Sequence, residues 1–241
     1  MTDSPTSRLE SPPSMGVSRG KIDAGLRQFM LSVYNYMGFG LAISGTVAYV
    51  AAEAGIYAWV VKTPVLFWAI LLAPLALVFV LSFGIEKMSA GVAQMVFWIY
   101  AVLIGLSLSG IFLVYTGTSI ARTFFVTAAT FLTMSLYGYL TRANLARLGS
   151  FLLMGLLGVV IGGLINLFLV SSTFELAISI VGVLIFVGLT AYDTQRTREI
   201  YLESDTLEVA RKKAIIAALS LYLDFINLFL MLLRLSGERR E

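Results

Sequence analysis

Charged residues cut this chain into long apolar stretches, each about the length of a membrane span. Residues 28–52 and 63–85 carry no charge. A third charge-free run, 88–121, is longer than one span and divides into a helix over 92–115 and the turn Thr116-Gly117-Thr118. Further runs cover 123–141, 148–174, 176–192 and 214–233, the last interrupted only by Asp224. A bilayer core about 30 Å thick takes about 20 apolar residues as a helix. The pattern therefore predicts an all-α, polytopic membrane protein with seven transmembrane helices. The runs are uniformly apolar rather than alternating, which argues against a membrane barrel. The sixth run is short, so its helix is expected to continue past Asp193 towards Ile200. Gly155, Gly158 and Gly162 have the spacing of small residues that let membrane helices approach closely, and a packing role is expected of them.

Residues 1–27 read differently. Ser4-Pro5-Thr6-Ser7 and Ser11-Pro12-Pro13-Ser14 mark a polar stretch without the apolar core of a signal peptide. It is expected to be a disordered cytoplasmic tail. The expected organisation is then this tail, a seven-helix domain over 28–235 and a short C-terminal tail over 236–241. Composition agrees with a membrane protein: of 241 residues 59 % are hydrophobic and 13 % charged, against about 25 % charged in soluble domains. The mean hydropathy is +0.89. The chain has no His and no Cys, which excludes disulfides, thiolate or imidazole metal sites, and catalysis by either side chain. The net charge of +3 is too small and too scattered for a nucleic-acid surface.

Basic residues set the orientation of such a protein. Arg8, Arg19, Lys21, Arg27, Lys87, Arg142, Arg147, Arg196, Arg198, Arg211, Lys212 and Lys213 fall on the side of the N-terminus. Only Lys62, Arg122, Arg234, Arg239 and Arg240 fall on the other. A cytoplasmic N-terminus is expected.

Acids inside spans are the chemical anomaly. A charge at a helix centre costs roughly 2.5–3.5 kcal/mol on insertion scales, so such residues usually face the bundle interior and mark ion or proton paths. Asp224 lies near the middle of the last span. Ser220, Asp224 and Asn227 share one helix face, with Asn227 and Tyr222 available as hydrogen-bond partners. Asp193 lies near the end of the sixth span, on the adjoining helix. Two carboxyls brought together in low dielectric cannot both ionise cheaply, so they would share a proton and titrate as a pair. Deprotonated, they offer hard oxygens to a cation such as calcium, in a weak, transient site. Glu53, Glu86 and Glu175 sit at span ends, where a solvated acid is ordinary.

The block Ser220-Leu221-Tyr222-Leu223-Asp224-Phe225-Ile226-Asn227-Leu228-Phe229 resembles the last-helix signature of the Bax inhibitor-1 family, also called the transmembrane Bax inhibitor motif family. Tyr192-Asp193, with Gln195 just beyond, resembles that family's sixth-helix motif. The resemblance extends from Gln28 to the C-terminus. It implies a seven-helix bundle with the last helix central, in the plasma (inner) membrane of a bacterium. It implies a pH-sensitive calcium leak in which Asp193 and Asp224 sense protons, supported by Asn227, Ser220 and Tyr222. Some prokaryotic relatives place an arginine at the cytoplasmic end of the second helix, where it latches onto the aspartates. Here Glu86-Lys87 stands there, with Lys87 as the candidate latch in its place, although an ammonium lacks the planar fork of arginine.

Rival chemistries fit less well. An intramembrane aspartyl protease also uses paired aspartates. It places glycines before the second one, however, where this chain has Leu221-Tyr222-Leu223. A retinal-binding pump needs a lysine within the last span, and Lys21, Lys62, Lys87, Lys212 and Lys213 all lie outside the spans. No phosphate-binding glycine-rich loop appears. No enzymatic activity and no cofactor are expected. The remaining alternative is a non-conducting regulator that binds another membrane protein, such as a membrane protease.

Overall fold

A computed structural model describes residues 15–240, with side chains from residue 24 onward. Its long helices are α1 (Met15–Glu53), α3 (Pro64–Gly84), α4 (Ala90–Leu108), α6 (Gly117–Leu140), α7 (Ala146–Leu169), α8 (Ser172–Glu199) and α9 (Leu207–Ser236). Two short helices, α2 (Ile56–Lys62) and α5 (Ile111–Val114), complete the set. Six helices are individually long and apolar enough to cross a membrane; a seventh span results when α1 and α2, bent by 77° at their junction, count as one. No strand occurs among the described residues, only an isolated bridge between Tyr115 and Arg239. The protein is an all-α polytopic membrane protein.

Helix ends follow local chemistry. Ser89, Thr116, Ser171 and Thr206 each accept an N–H from the first turn of the helix they cap, which satisfies a donor that the helix itself leaves free. The α1–α2 bend is made at Gly55, whose φ of 67° is left-handed and open to glycine without a Cβ clash. Pro64 occupies the first turn of α3, where its missing N–H costs nothing.

Several expected boundaries move for these reasons. Helix α1 begins at Met15, so residues 15–27, expected in the tail, are helical; residues 1–14 lie outside the described residues. Thr116 caps α6, which therefore starts at Gly117 and carries Arg122 exposed on an outer turn. The break between the fifth and sixth spans is not at Glu175. It falls at Val170, which has a left-handed φ of 48°, and Ser171, whose N–H donates to the Asn166 side chain at 3.1 Å. Phe174 and Glu175 thus open α8. At its other end α8 does run past Asp193, to Glu199.

Helix α9 is central. It packs against α8, α1, α6 and α4, and its apolar residues form the main core with Val33, Phe97, Tyr100 and Phe131. Helix α3 packs chiefly on α4, and α7 on α8, so both lie at the periphery. Lipid removes most of the hydrophobic drive between helices, so close van der Waals contact carries the packing. Two glycines bring one helix onto the backbone of another. A Cβ on Gly105 of α4 would stand 2.7 Å from the Ser44 carbonyl oxygen of α1, and one on Gly138 of α6 would strike the Ala191 carbonyl of α8. The expected glycine motif on α7 is only partly used. Gly155 and Gly162 face Ile185 and Ile178 of α8, whereas Gly158 faces open space.

Gly105→Ala should lower stability by about 1–3 kcal/mol, because backbone must move to admit the methyl. Gly158→Ala should leave stability unchanged or raise it by up to ~1 kcal/mol through the unfolded state. Thermal unfolding in detergent micelles distinguishes the two.

Candidate functional site: an acid pair between the last two helices

Helix α9 is rotated so that residues two apart point to nearly opposite sides, and both sides carry polar groups. On one side Tyr222 is fully buried, and its hydroxyl lies 2.6 Å from the Ser44 hydroxyl of α1. Ser44 in turn is 2.7 Å from the Ala101 carbonyl of α4, so one chain of hydrogen bonds ties α9, α1 and α4. The Tyr222 ring packs edge-on against Phe97 and Tyr100. The Tyr100 hydroxyl is buried with no partner among the described residues.

On the other side Asp224, only 5 % exposed, meets Asp193 of α8. The two carboxyls are near neighbours, close enough for their charges to interact. A carboxylate only accepts, so a hydrogen bond between them requires a proton on one of the two. One Asp224 oxygen, Oδ2, has no hydrogen-bond partner among the described residues. Asp193 is half-buried, and the Arg196 guanidinium one turn along α8 is near enough to attract it. Among the described residues no third acidic side chain joins the pair to form a larger ligand cluster.

The elements around the pair hold α8 in place. Thr194, beside Asp193, donates to Ser135 of α6 at 3.2 Å, and the Gly138–Ala191 contact lies one turn away. Gln195 is a buried clamp: its amide donates to the Ala143 carbonyl at 2.8 Å and accepts the Leu145 N–H at 2.8 Å. It thereby pins the α6–α7 connection to α8. Arg198 donates to the Tyr139 carbonyl at the end of α6, an orphan acceptor of that helix.

The other expected site residues divide. Asn227 does not reach the pair with its amide nitrogen, which donates to the Leu223 carbonyl of its own helix at 2.8 Å. Tyr222 serves Ser44 rather than Asp224, because two residues along a helix turn it to the opposite side. Ser220 is half-buried on α9. Glu86 and Lys87 are exposed in a short 3₁₀ turn after α3. Glu86 meets Lys212 of α9 through its backbone carbonyl, at 3.4 Å. Because α3 packs on α4 rather than on α8, these two residues are not brought to the aspartates. The clamp by Gln195 and the Ser44–Tyr222 bond were not expected; lone polar residues inside apolar spans, as Ser44 is, were the available signal.

A helical membrane bundle with two neighbouring acids between its last helices is the class of protein these features define. The chain belongs to the Bax inhibitor-1 family: the family model described as "Inhibitor of apoptosis-promoting Bax1" matches residues 26–241. It is 48 % identical over 220 residues to the inner membrane protein YbhL of Escherichia coli, covering 90 % of this chain and 94 % of that one. It is 47 % identical over 221 residues to protein RP147 of Rickettsia prowazekii, covering 91 % and 93 %. A membrane protein of Streptococcus pyogenes is 37 % identical over 219 residues, covering 90 % and 95 %.

Gln195→Leu removes both bonds of the clamp and leaves the Leu145 N–H and the Ala143 carbonyl without it. A loss of about 1–3 kcal/mol is expected for buried groups stripped of their partner. Limited proteolysis should cut the α6–α7 connection faster in the variant than in wild type.

Proposed function

We propose that the protein passes calcium ions down their gradient across a bacterial inner membrane, controlled by a proton shared between Asp193 and Asp224. The observation that supports this most directly is the proximity of the two carboxyls inside a bundle of apolar helices. With the shared proton present, the pair is a closed hydrogen-bonded unit joining α8 to α9. With it gone, two like charges repel at close range in a medium that screens them poorly. The same carboxylates then offer the hard oxygens that calcium takes, normally six to eight in all. Two acids alone make a weak site, completed by water and neutral oxygens, and weak binding suits an ion that must also leave. The similarity to the inner membrane protein YbhL favours that membrane. The excess of basic residues at the end that bears the α8–α9 connection favours a cytoplasmic N-terminus.

Reconstitution into liposomes loaded with a calcium-sensitive dye tests the proposal. Wild type is expected to admit calcium at a rate that changes between acidic and neutral pH. Asp193→Asn and Asp224→Asn should each weaken that dependence, since each leaves one carboxyl beside an amide that neither ionises nor repels it. Flux with the wild-type pH profile in both variants would remove the sensor. Wild-type flux no greater than that of empty liposomes would favour a non-conducting regulator that binds other membrane proteins.

A further inference from the structure

A cavity of about 750 Å³ opens between α1, α4 and the α8–α9 connection, apart from the acid pair. Its size falls in the range of small-molecule sites, about 300–1,000 Å³. Within the wall contributed by α1, Gln28, Ser32 and Asn35 form a polar stripe, at a spacing of four and three residues on one face of the helix. Asn35 is exposed, although it lies about 10 Å farther along α1 than Gln28, inside the apolar run. An amide turned to hydrocarbon at that depth carries a desolvation penalty unless something polar meets it. Opposite stands Gln94 of α4, which accepts the Tyr36 hydroxyl at 3.3 Å. Phe39 and Trp98 line the cavity with apolar surface. At the connection end, Glu203 and Arg211 line the cavity, are exposed, and form no ion pair among the described residues. Asp205, also in the wall, is taken by Lys213 at 2.6 Å.

We propose that this cavity binds the headgroup of a zwitterionic phospholipid that carries a primary ammonium. The rim supplies one acid for the ammonium and one guanidinium for the phosphate, which binds anions by two parallel donors. The amides of Gln28 and Asn35 lie where the glycerol esters would enter, and Trp98 and Phe39 line the start of the acyl chains, as interfacial aromatics do. An anionic headgroup would satisfy Arg211 but be repelled by Glu203. A choline headgroup has no N–H to give Glu203. The chemistry recognised, a phosphate ester with a primary ammonium, is shared by the soluble compound phosphoethanolamine. The polar stripe, running down α1 into the bilayer, assigns the site to the lipid.

The test uses the full chain, purified in detergent, with lipid retention read by native mass spectrometry. Phosphatidylethanolamine, phosphatidylcholine and phosphatidylglycerol compete in equal amounts, and phosphoethanolamine is added in a separate arm. Wild type should retain phosphatidylethanolamine over each of the others by about threefold, the worth of one exposed charge pair. Glu203→Lys should turn the preference towards phosphatidylglycerol, and Asn35→Leu should lower retention of all three lipids. Residue 203 lies in an exposed connection, and the competition on wild type needs no variant. Equal retention of the three lipids by wild type overturns the proposal, as does a Glu203→Lys variant with the wild-type preference. Displacement of bound lipid by phosphoethanolamine, with no headgroup preference, would assign the cavity to a soluble ligand and overturn it too.

Discussion

The bilayer offers no hydrogen-bond partner to the inner faces of α9, and that helix carries strongly polar groups on two of them. Tyr222 and Asp224 point in nearly opposite directions, so one neighbour cannot satisfy both. A helix at the edge of a bundle would leave one of the two in lipid. The sequence of α9 thus demands protein on both sides, and the central position of α9 follows from it. On the tyrosine side the solution is complete: Ser44 bridges Tyr222 and the Ala101 carbonyl, joining three helices. On the aspartate side the partner is another acid, and one carboxyl oxygen of Asp224 is unmatched. The first arrangement stays neutral in every proton state available near neutral pH. The second brings two ionisable groups together, so its charge depends on how many protons they hold.

Both arrangements depend on close backbone contact. Gly105 lets α4 settle on the backbone of Ser44, the residue that completes the tyrosine side. Gly138 lets α6 settle on Ala191, two residues before Asp193. Small residues therefore stand where hydrogen-bonded side chains must be held to within a few tenths of an ångström. On α7, by contrast, Gly158 faces outward and serves no such contact.

Much of the fold could be read from the sequence because charge-free length is a direct consequence of bilayer thickness. The spans and the continuation of α8 past Asp193 follow from apolar extent, whereas the central last helix was expected only from the resemblance of the block at 220–229 to the family's last-helix signature. Boundaries set by local capping were harder to see. Thr116 begins α6 ahead of Arg122 because a threonine oxygen can take a free N–H, an effect that charge counting does not register. The Val170–Ser171 break rests on Asn166 and an uncommon φ, and nothing in an apolar run announces either. In the site, the juxtaposition of Asp193 and Asp224 was legible as two costly acids on adjoining helices. The partners were not. Asn227 shares a face with Asp224, yet its amide finds the Leu223 carbonyl first, because a donor inside a helix has a backbone acceptor four residues back. Sequence spacing gives the direction of a side chain and is silent on which of several reachable acceptors it takes.

The two acids are not equivalent, and the difference lies in their surroundings. Asp193 is half-buried, one turn from Arg196 and close to the end of α8. Asp224 lies deeper, on the central helix, with Asp193 as its acidic neighbour. Asp193 is thus the more accessible of the two and Asp224 the more enclosed. Thr194 and Gln195 hold the outer member of the pair to α6 and to the α6–α7 connection. The inner member is held by the core around α9. Any widening between the carboxyls would have to shift α8 against these hydrogen bonds, or shift α9 against a core shared with four helices. On the α8 side the bonds at Ser135, Ala143 and Leu145 would have to yield.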